Sequence, residues 1–423
     1  MSPLAADITL EAVLQQRQIR CVYQPVVDLQ TRQVVAREAL MRGPTGTAME
    51  SPQSLLDAAA TDLELAMLDR LAHTVALRAM ADHPDGRGQA LFLNIEPRGI
   101  GADVPLGILG PWEQAHEDAI AAGLDVVIEL TERALLDDPA SVLWSVDQMR
   151  GLGARIALDD VGATPESLAF LPLVRPDIVK LDLRLVREHG SLDTAQISNA
   201  VRAYAEESGA AVVAEGVETE GDHAIALALG ATLGQGWLYG RPASLPDQLP
   251  VTTPIARVKQ PREHTGTTPF EVVADERAVL RGTKALLLPL SRSLEIASRG
   301  LAIPPLLLGC FQKSRYFTPY TSRRYTELAE RLPMVAALGT SMPAAPAPGV
   351  RGAALADQDA LVGEWNVIVL GAHYAAALVA LDLGDFRSAE SDRRFDYVVT
   401  HDRELVTAAA QTVLMRLLRS HPA

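Results

Sequence analysis

Residues 155–182 read RIALDDVGATPESLAFLPLVRPDIVKLD. The opening run, 155–158, is mostly apolar, suits a buried strand, and leads straight into an acid pair, Asp159 and Asp160. A second apolar run, 178–181, carries Lys180 and is followed by Asp182. The stretch between them is long enough for a crossover, so the two runs read as neighbouring parallel strands that end in chemically active side chains. The same unit recurs on both sides. Residues 22–27, 34–40, 90–95, 126–130, 211–214 and 234–239 are further strand candidates, and stretches such as 54–80 and 196–207 between them have an apolar period near that of a helix. Eight such repeats in about 240 residues fit an α/β fold of the TIM-like (β/α)8 barrel type; an open doubly wound sheet is the alternative.

The chain has 423 residues, more than one core usually serves, so a second domain is expected. Residues 246–269 are rich in Pro and Thr and lack periodicity, which reads as a linker. It divides a barrel of residues 1–245 from a smaller mixed α/β domain of residues 270–423, with helix-like segments at 276–297 and 403–418 and strand-like ones at 367–370, 377–381 and 397–400. The two cysteines, Cys21 and Cys310, fall in different domains, which excludes a disulfide framework and suits a reducing cytoplasm. The first twenty residues do not read as a secretory signal, and the apolar stretch 365–383 is too short and mixed to span a bilayer, so a cytoplasmic location is expected. The formal charge of −15 argues against nucleic-acid polymers and anionic membranes as partners. That charge is concentrated in the first 250 residues, which hold 36 acidic and 18 basic side chains.

Barrel sites are built where the C-terminal ends of the strands converge on one rim. Here the second strand ends with Glu38, the third with Asn94, the fourth with Glu129 and then Glu132, and the fifth with Asp159 and Asp160. The sixth offers Lys180 and Asp182, the seventh Glu215 and Glu218, and the eighth Gln235. Any one of these acids has a bland reading as a solvated loop residue or a helix N-cap. Their repetition at matching strand ends does not. Crowded carboxylates repel one another and are driven to protonate unless cations intervene. Oxygen-only donors suit Mg²⁺ or Mn²⁺ rather than Zn²⁺, and none of the nine histidines falls in these motifs. The pair Asp159 and Asp160 can offer carboxylates to two ions, as two-metal phosphodiester hydrolysis requires.

Lys180 is the only lysine in the first 250 residues, against 17 arginines. A compact ammonium kept in an apolar run points to a role that a guanidinium fork would not fill, though a chance survivor paired with Asp182 is the plain alternative.

The motifs Tyr23-Gln24-Pro25, Glu38-Ala39-Leu40-Met41-Arg42, Leu93-Asn94-Ile95-Glu96-Pro97, Glu129-Leu130-Thr131-Glu132, Leu158-Asp159-Asp160, Lys180-Leu181-Asp182, Ala214-Glu215-Gly216-Val217-Glu218-Thr219 and Gly234-Gln235-Gly236 occur in that order. In order and spacing they resemble the EAL family of bacterial cyclic-di-GMP phosphodiesterases. The resemblance implies a barrel whose first strand is antiparallel to the rest. It implies one metal held by Glu38, Asn94, Glu129 and Asp159, and Asp160 helping to hold a second. It implies hydrolysis of cyclic di-GMP to linear pGpG by water that Glu215 helps to deprotonate and Lys180 orients. Gln24, Arg42, Asp182 and Gln235 would contact substrate or water, Glu132 would brace the loop after the fifth strand, Glu218 would be a further rim acid, and the protein would be a homodimer. One departure stands out: after the acid pair the family usually reads Phe-Gly-Thr-Gly-Tyr-Ser-Ser, whereas residues 161–167 are VGATPES. That loop positions Asp160 and joins dimer contacts in the family, so the rival reading is a barrel that binds the nucleotide without cutting it.

The second half has fewer signals. Residues 290–301, 311–325 and 398–400 resemble the DICT-type sensory domain found fused to cyclic-di-GMP enzymes, which implies an unknown signal or partner there. The cluster of Arg315, Tyr316, Phe317, Tyr320, Arg323, Arg324 and Tyr325 reads either as an anion pocket or interface, or as an amphipathic helix covering the domain's own core.

Overall fold

In the computed structural model, residues 8–419 are described apart from 100, 164, 188–189, 260–261, 263 and 386–388. The chain forms two compact units, Met1–Ala163 with Pro176–Val258, and Thr164–Arg175 with Lys259–Ala423. No helix among the described residues is long and apolar enough to cross a membrane.

The first unit is a closed barrel of eight strands in chain order: β1 (Arg20–Asp28), β2 (Val34–Arg42), β3 (Ala90–Asn94), β4 (Asp125–Thr131), β5 (Arg155–Val161), β6 (Ile178–Leu181), β7 (Ala211–Ala214) and β8 (Leu233–Gln235). β1 is antiparallel to both β2 and β8, and every other pair is parallel. The α/β barrel and its reversed first strand are therefore as expected, and the open sheet is excluded. Inward residues of successive strands, among them Val26, Ala36, Phe92, Val127, Ile178 and Val213, fill the interior as a packed core.

β8 is shorter than its sequence suggests: at Gly236 the backbone lies against Val217, whose carbonyl oxygen is 2.1 Å from where a Cβ would be, and the chain turns back with Gly240 N–H donating to Gly236 O. β5 is longer and carries a bulge. Its pairing with β6 slips between Leu158 and Val161, so Asp159 and Asp160 together face Lys180. Asp160 takes a left-handed φ of 57°, which aspartate tolerates better than most residues.

Residues 246–258, read from composition as linker, belong to the barrel unit. Ile255 joins the barrel core. Arg155, 2% exposed, donates to the Ile255 and Ala256 carbonyls and pairs with Asp125 at 2.8 Å. Gln89 donates to Pro250 O at 2.8 Å. These partners lie at the N-terminal ends of β3 to β5, so the segment closes the end of the barrel opposite the acid-bearing one.

The second unit is a seven-stranded mixed sheet. Its strands are β9 (Leu280–Thr283), β10 (Leu306–Lys313), β11 (Val335–Thr340), β12 (Val350–Ala354), β13 (Glu364–Leu370), β14 (Ala375–Asp382) and β15 (Arg394–Thr400), in the order β12-β11-β10-β13-β14-β15-β9. The apolar stretch 365–383 forms the antiparallel pair β13–β14, buried at the sheet's centre. The expected helix at 276–297 begins only at Lys284, after Thr283; residues 280–283 instead pair with β15 as an edge strand, tied by Arg281 to Asp396. Helices Lys284–Ser298, Pro319–Ala329 and Arg403–Arg419 supply the remaining layers.

Candidate active site

Lys180 organises the C-terminal mouth of the barrel. It is 1% exposed, and its Nζ lies 2.8 Å from Glu129 Oε1, 2.9 Å from Glu215 Oε1, 3.3 Å from Asp159 Oδ1 and 3.7 Å from Glu38 Oε2. Burial alone would deprotonate it, but Asp159, Glu129, Glu215 and Glu38 hold its pKa well above the usual value. One ammonium facing four carboxylates leaves an excess of negative charge, and the acids divide it unequally.

Glu38 is held toward its charged form. Burial opposes its charge, yet Lys180, the Gln235 amide at 2.5 Å and the Asn94 amide at 2.7 Å together bring its pKa below the usual carboxylate range. Glu129 is the opposite case: burial and then the Glu38 charge push it well up, against the pull of Lys180. Glu215 is raised to about 8, by burial and by Asp159 and Glu38 against the pull of Lys180. Asp160 is raised by burial and by its neighbours Asp159 and Asp182. Such stored repulsion marks a place built for additional positive charge.

The oxygens of Asp159, Asp160 and Glu215 come within 4.8 Å of one another, a group able to hold a cation. Hard oxygen donors, a buried carboxylate at Glu129 whose neighbour Lys180 is shared with three other acids, and raised carboxyl pKa values all fit a divalent ion there.

The other expected residues are placed as follows. Gln24 Oε1 is 3.4 Å from Gln235 Nε2, and Gln24 donates to Gly240 O at 3.2 Å, which puts both amides beside Glu38. Arg42 ends β2, its Nη1 donating to Met41 O at 2.7 Å, and does not touch the carboxylate cluster. Asp182 accepts from the Arg184 backbone at 2.6 Å and its guanidinium at 3.0 Å. Glu132 accepts the Gly162 N–H at 2.9 Å, a contact to the loop after β5. Glu218 stands apart, paired with Arg187 at 3.3 Å.

Sequence reasoning missed a second layer. In the helix Asp62–Ala81, begun by the Thr61–Glu64 capping box, Asp69 and His73 stand one turn apart on the buried face. Asp69 accepts the Glu96 N–H at 2.7 Å. His73 Nδ1 accepts from Trp112 at 3.3 Å, which leaves Nε2 to donate to Asn94 O at 2.7 Å. Burial keeps that imidazole neutral, with a pKa lowered to about 3. Polar residues spaced i, i+4 within an apolar helical stripe were the available signal.

Asp69 also sets a pH dependence. Burial raises its pKa to about 7 from 3.8, so the fold favours the protonated carboxyl. The stabilising contribution is full below the unfolded value of 3.8 and disappears as pH rises through about 7. Asp69→Asn is therefore expected to gain stability over the native chain as pH rises from about 4 to 7, by an amount on the order of a few kcal/mol, with no further gain above. Urea unfolding across that range measures it, and parallel curves for the two proteins would contradict it.

A closed (β/α)8 barrel with a reversed first strand and this acidic mouth defines the class. The EAL domain model matches residues 7–242, and the chain belongs to that family. A second model, the sensory domain in diguanylate cyclases and two-component systems, matches residues 272–383. Among curated proteins, the chain is 30% identical over 175 residues to PdeA of Escherichia coli, named a probable cyclic di-GMP phosphodiesterase, covering 40% of this chain and 23% of that one. It is 28% identical over 249 residues to the cyclic di-GMP phosphodiesterase NbdA of Pseudomonas aeruginosa, covering 57% and 31%. Among solved structures, Klebsiella pneumoniae BlrP1 in a manganese and cyclic di-GMP complex superposes with a TM-score of 0.46 at 29% identity, covering 53% of this chain and 56% of that one. The chain spans well under half the length of these two curated relatives.

Proposed function

We propose that the barrel mouth hydrolyses cyclic di-GMP to linear pGpG with Mg²⁺ or Mn²⁺, and that the second unit regulates it. The carrying observation is the meeting of Asp159, Asp160 and Glu215 oxygens within 4.8 Å beside a buried lysine. Relatives named as phosphodiesterases of this dinucleotide support the substrate.

In this reading Glu38, Asn94, Glu129, Asp159 and Asp160 hold the cations. A divalent ion bound there neutralises phosphate charge and makes water more acidic. Lys180, pinned by its carboxylates, presents a fixed positive charge to the water and to the phosphate oxygens. Glu215 accepts the proton that water loses as its oxygen bonds to phosphorus and the bond to a ribose 3′ oxygen breaks; that oxygen takes up a proton to leave the linear product. Gln24 and Gln235 offer amide groups at the rim, Asp182 accepts from water or a base edge, and Arg42 presents a guanidinium fork suited to phosphate.

The test is to follow cyclic di-GMP by chromatography with the purified chain and Mn²⁺ or Mg²⁺. Formation of pGpG, its arrest by a chelator and its loss in Asp159→Ala are the expected results; full turnover by that variant would remove the proposal. The loop at 161–167, VGATPES in place of the family's usual text, favours one rival. Nucleotide bound tightly and recovered intact would make the barrel a receptor.

A further inference from the structure

A cavity of about 260 Å³ opens in the second unit among the helix Lys284–Ser298, the end of β10 and the helix Pro319–Ala329. Phe311, Tyr316, Trp365 and Phe395 form aromatic walls, with Trp365 and Phe395 meeting edge to face at 5.7 Å. The backbone is bent to make this space. Pairing of β10 with β11 slips between Cys310 and Lys313, and Gln312 takes a left-handed φ of 59°, a costly conformation for a residue other than glycine. In a regular strand Phe311 and Gln312 would face opposite sides of the sheet; with the bulge, both line the cavity.

The charges around it are not balanced. Glu295, 3% exposed, is engaged by Arg324 Nε at 2.5 Å and the Tyr325 hydroxyl at 3.4 Å. Asp382, beneath Gln312, is engaged by Arg393 and by Gln312 Nε2 at 3.0 Å. Both acids are thus committed, and the cations retain capacity. Arg324 Nη1 is buried with no hydrogen-bond acceptor among the described residues. Arg292, exposed at the mouth, lies 5.4 Å over the Tyr320 ring and makes no ion pair among the described residues. Core covering explains Phe317 and Tyr325, which meet Phe311 edge to face at 5.1 and 5.5 Å, but it does not explain a bulge that brings Phe311 and Gln312 to the same open cavity, with the Gln312 amide held by Asp382 and Arg393.

We infer that this cavity is a binding site for a small aromatic anion, its ring held among Phe311, Tyr316 and Trp365 and its carboxylate or phosphate on Arg324 and Arg292. The volume suits one or two rings: a cavity of about 150 Å³ takes benzene, and drug-sized ligands need more than about 300 Å³. Aromatic faces supply the apolar contact, and a guanidinium sharing its donors between Glu295 and the ligand supplies the selection for negative charge. This names a ligand class for the regulatory half and stands whether or not the barrel cuts the dinucleotide.

Calorimetry and melting curves of the full chain with 4-hydroxybenzoate, indole-3-acetate and phenyl phosphate test it, with benzamide and benzylamine as neutral and cationic controls. At least one anion is expected to bind saturably and raise the melting temperature, and benzylamine to do neither. The phosphate and carboxylate probes separate the two anion types. Arg292→Glu reverses a charge at an exposed position, and Leu288→Trp fills the mouth from a residue 37% exposed, so both variants should fold. Each is expected to weaken binding at least about tenfold. Failure of all three anions to bind at millimolar concentration, equal binding of benzylamine, or unchanged affinity in both folded variants would each overturn the inference. Nucleotide turnover, recorded separately, bears on the barrel alone.

Discussion

Replacing Lys180 with methionine is expected to abolish turnover and to lower stability by about 3–5 kcal/mol, because it removes the buried ammonium that four carboxylates share. The ammonium is 1% exposed, so water cannot take its place at the 2.8 and 2.9 Å contacts with Glu129 and Glu215. The acids can answer only by taking up protons, which raises carboxyl pKa values that burial has already raised at Glu129 and Glu215. A carboxyl whose folded pKa lies above its unfolded one loses stabilising free energy as pH rises toward that folded value. The deficit of the variant should therefore be small near pH 5 and grow through about pH 8. Arginine should not rescue it, since a wide planar fork does not fit where a point charge is enclosed on every side. Urea unfolding in chelator, repeated across pH, measures the loss. A methionine variant as stable as the native chain at pH 8 would mean that Lys180 does not hold this mouth together.

The strands and their terminal acids were legible because two signals coincide in them. An apolar run ending in a carboxylate states both the period of a buried strand and the end that carries chemistry, as in 155–160 and 178–182. The bulge at Asp159 and Asp160 was not legible, since nothing in the residue types says that two of them oppose one lysine. Residues 246–258 were misread for a different reason. They bind the barrel through backbone carbonyls of Pro250, Ile255 and Ala256, and a carbonyl has no signature in composition. Asp69 and His73 were hidden among the apolar residues of their helix, where a polar side chain looks like a break in pattern until its backbone partners at Glu96 and Asn94 are known. In the second unit, β9 is a four-residue edge strand beside a helix start, and its largely exposed residues imitate the helix's first turn.

Glu215→Gln should separate binding from chemistry. Glutamine keeps the size of the side chain, and its amide oxygen can still accept from Lys180 at the position where Glu215 Oε1 now lies 2.9 Å away. It cannot take up a proton. Glu215 is suited to that task by exposure as well as charge: 21% of its side chain reaches solvent, whereas Glu129, another raised acid of the cluster, is closed off. Once ionised, a carboxyl whose pKa is raised to about 8 is a stronger proton acceptor than a free one. Loss of a general base slows turnover by about 10² to 10⁴-fold, and that fall is expected in kcat, with affinity for cyclic di-GMP changed only a few-fold. The ligand-type variant Asp159→Ala differs in kind, because it should weaken cation retention as well as rate. If Glu215→Gln instead lost nucleotide affinity and rate together, Glu215 would be a holder of substrate or metal, and the proton would have to go to another oxygen of the cluster. Glu38 is poorly placed to receive it, with its pKa already pulled down by Lys180 and two amides against the effect of burial. The asymmetry between Glu38 and Glu215, one carboxyl held below the usual pKa and one raised above it beside the same ammonium, supports the separate roles proposed for them.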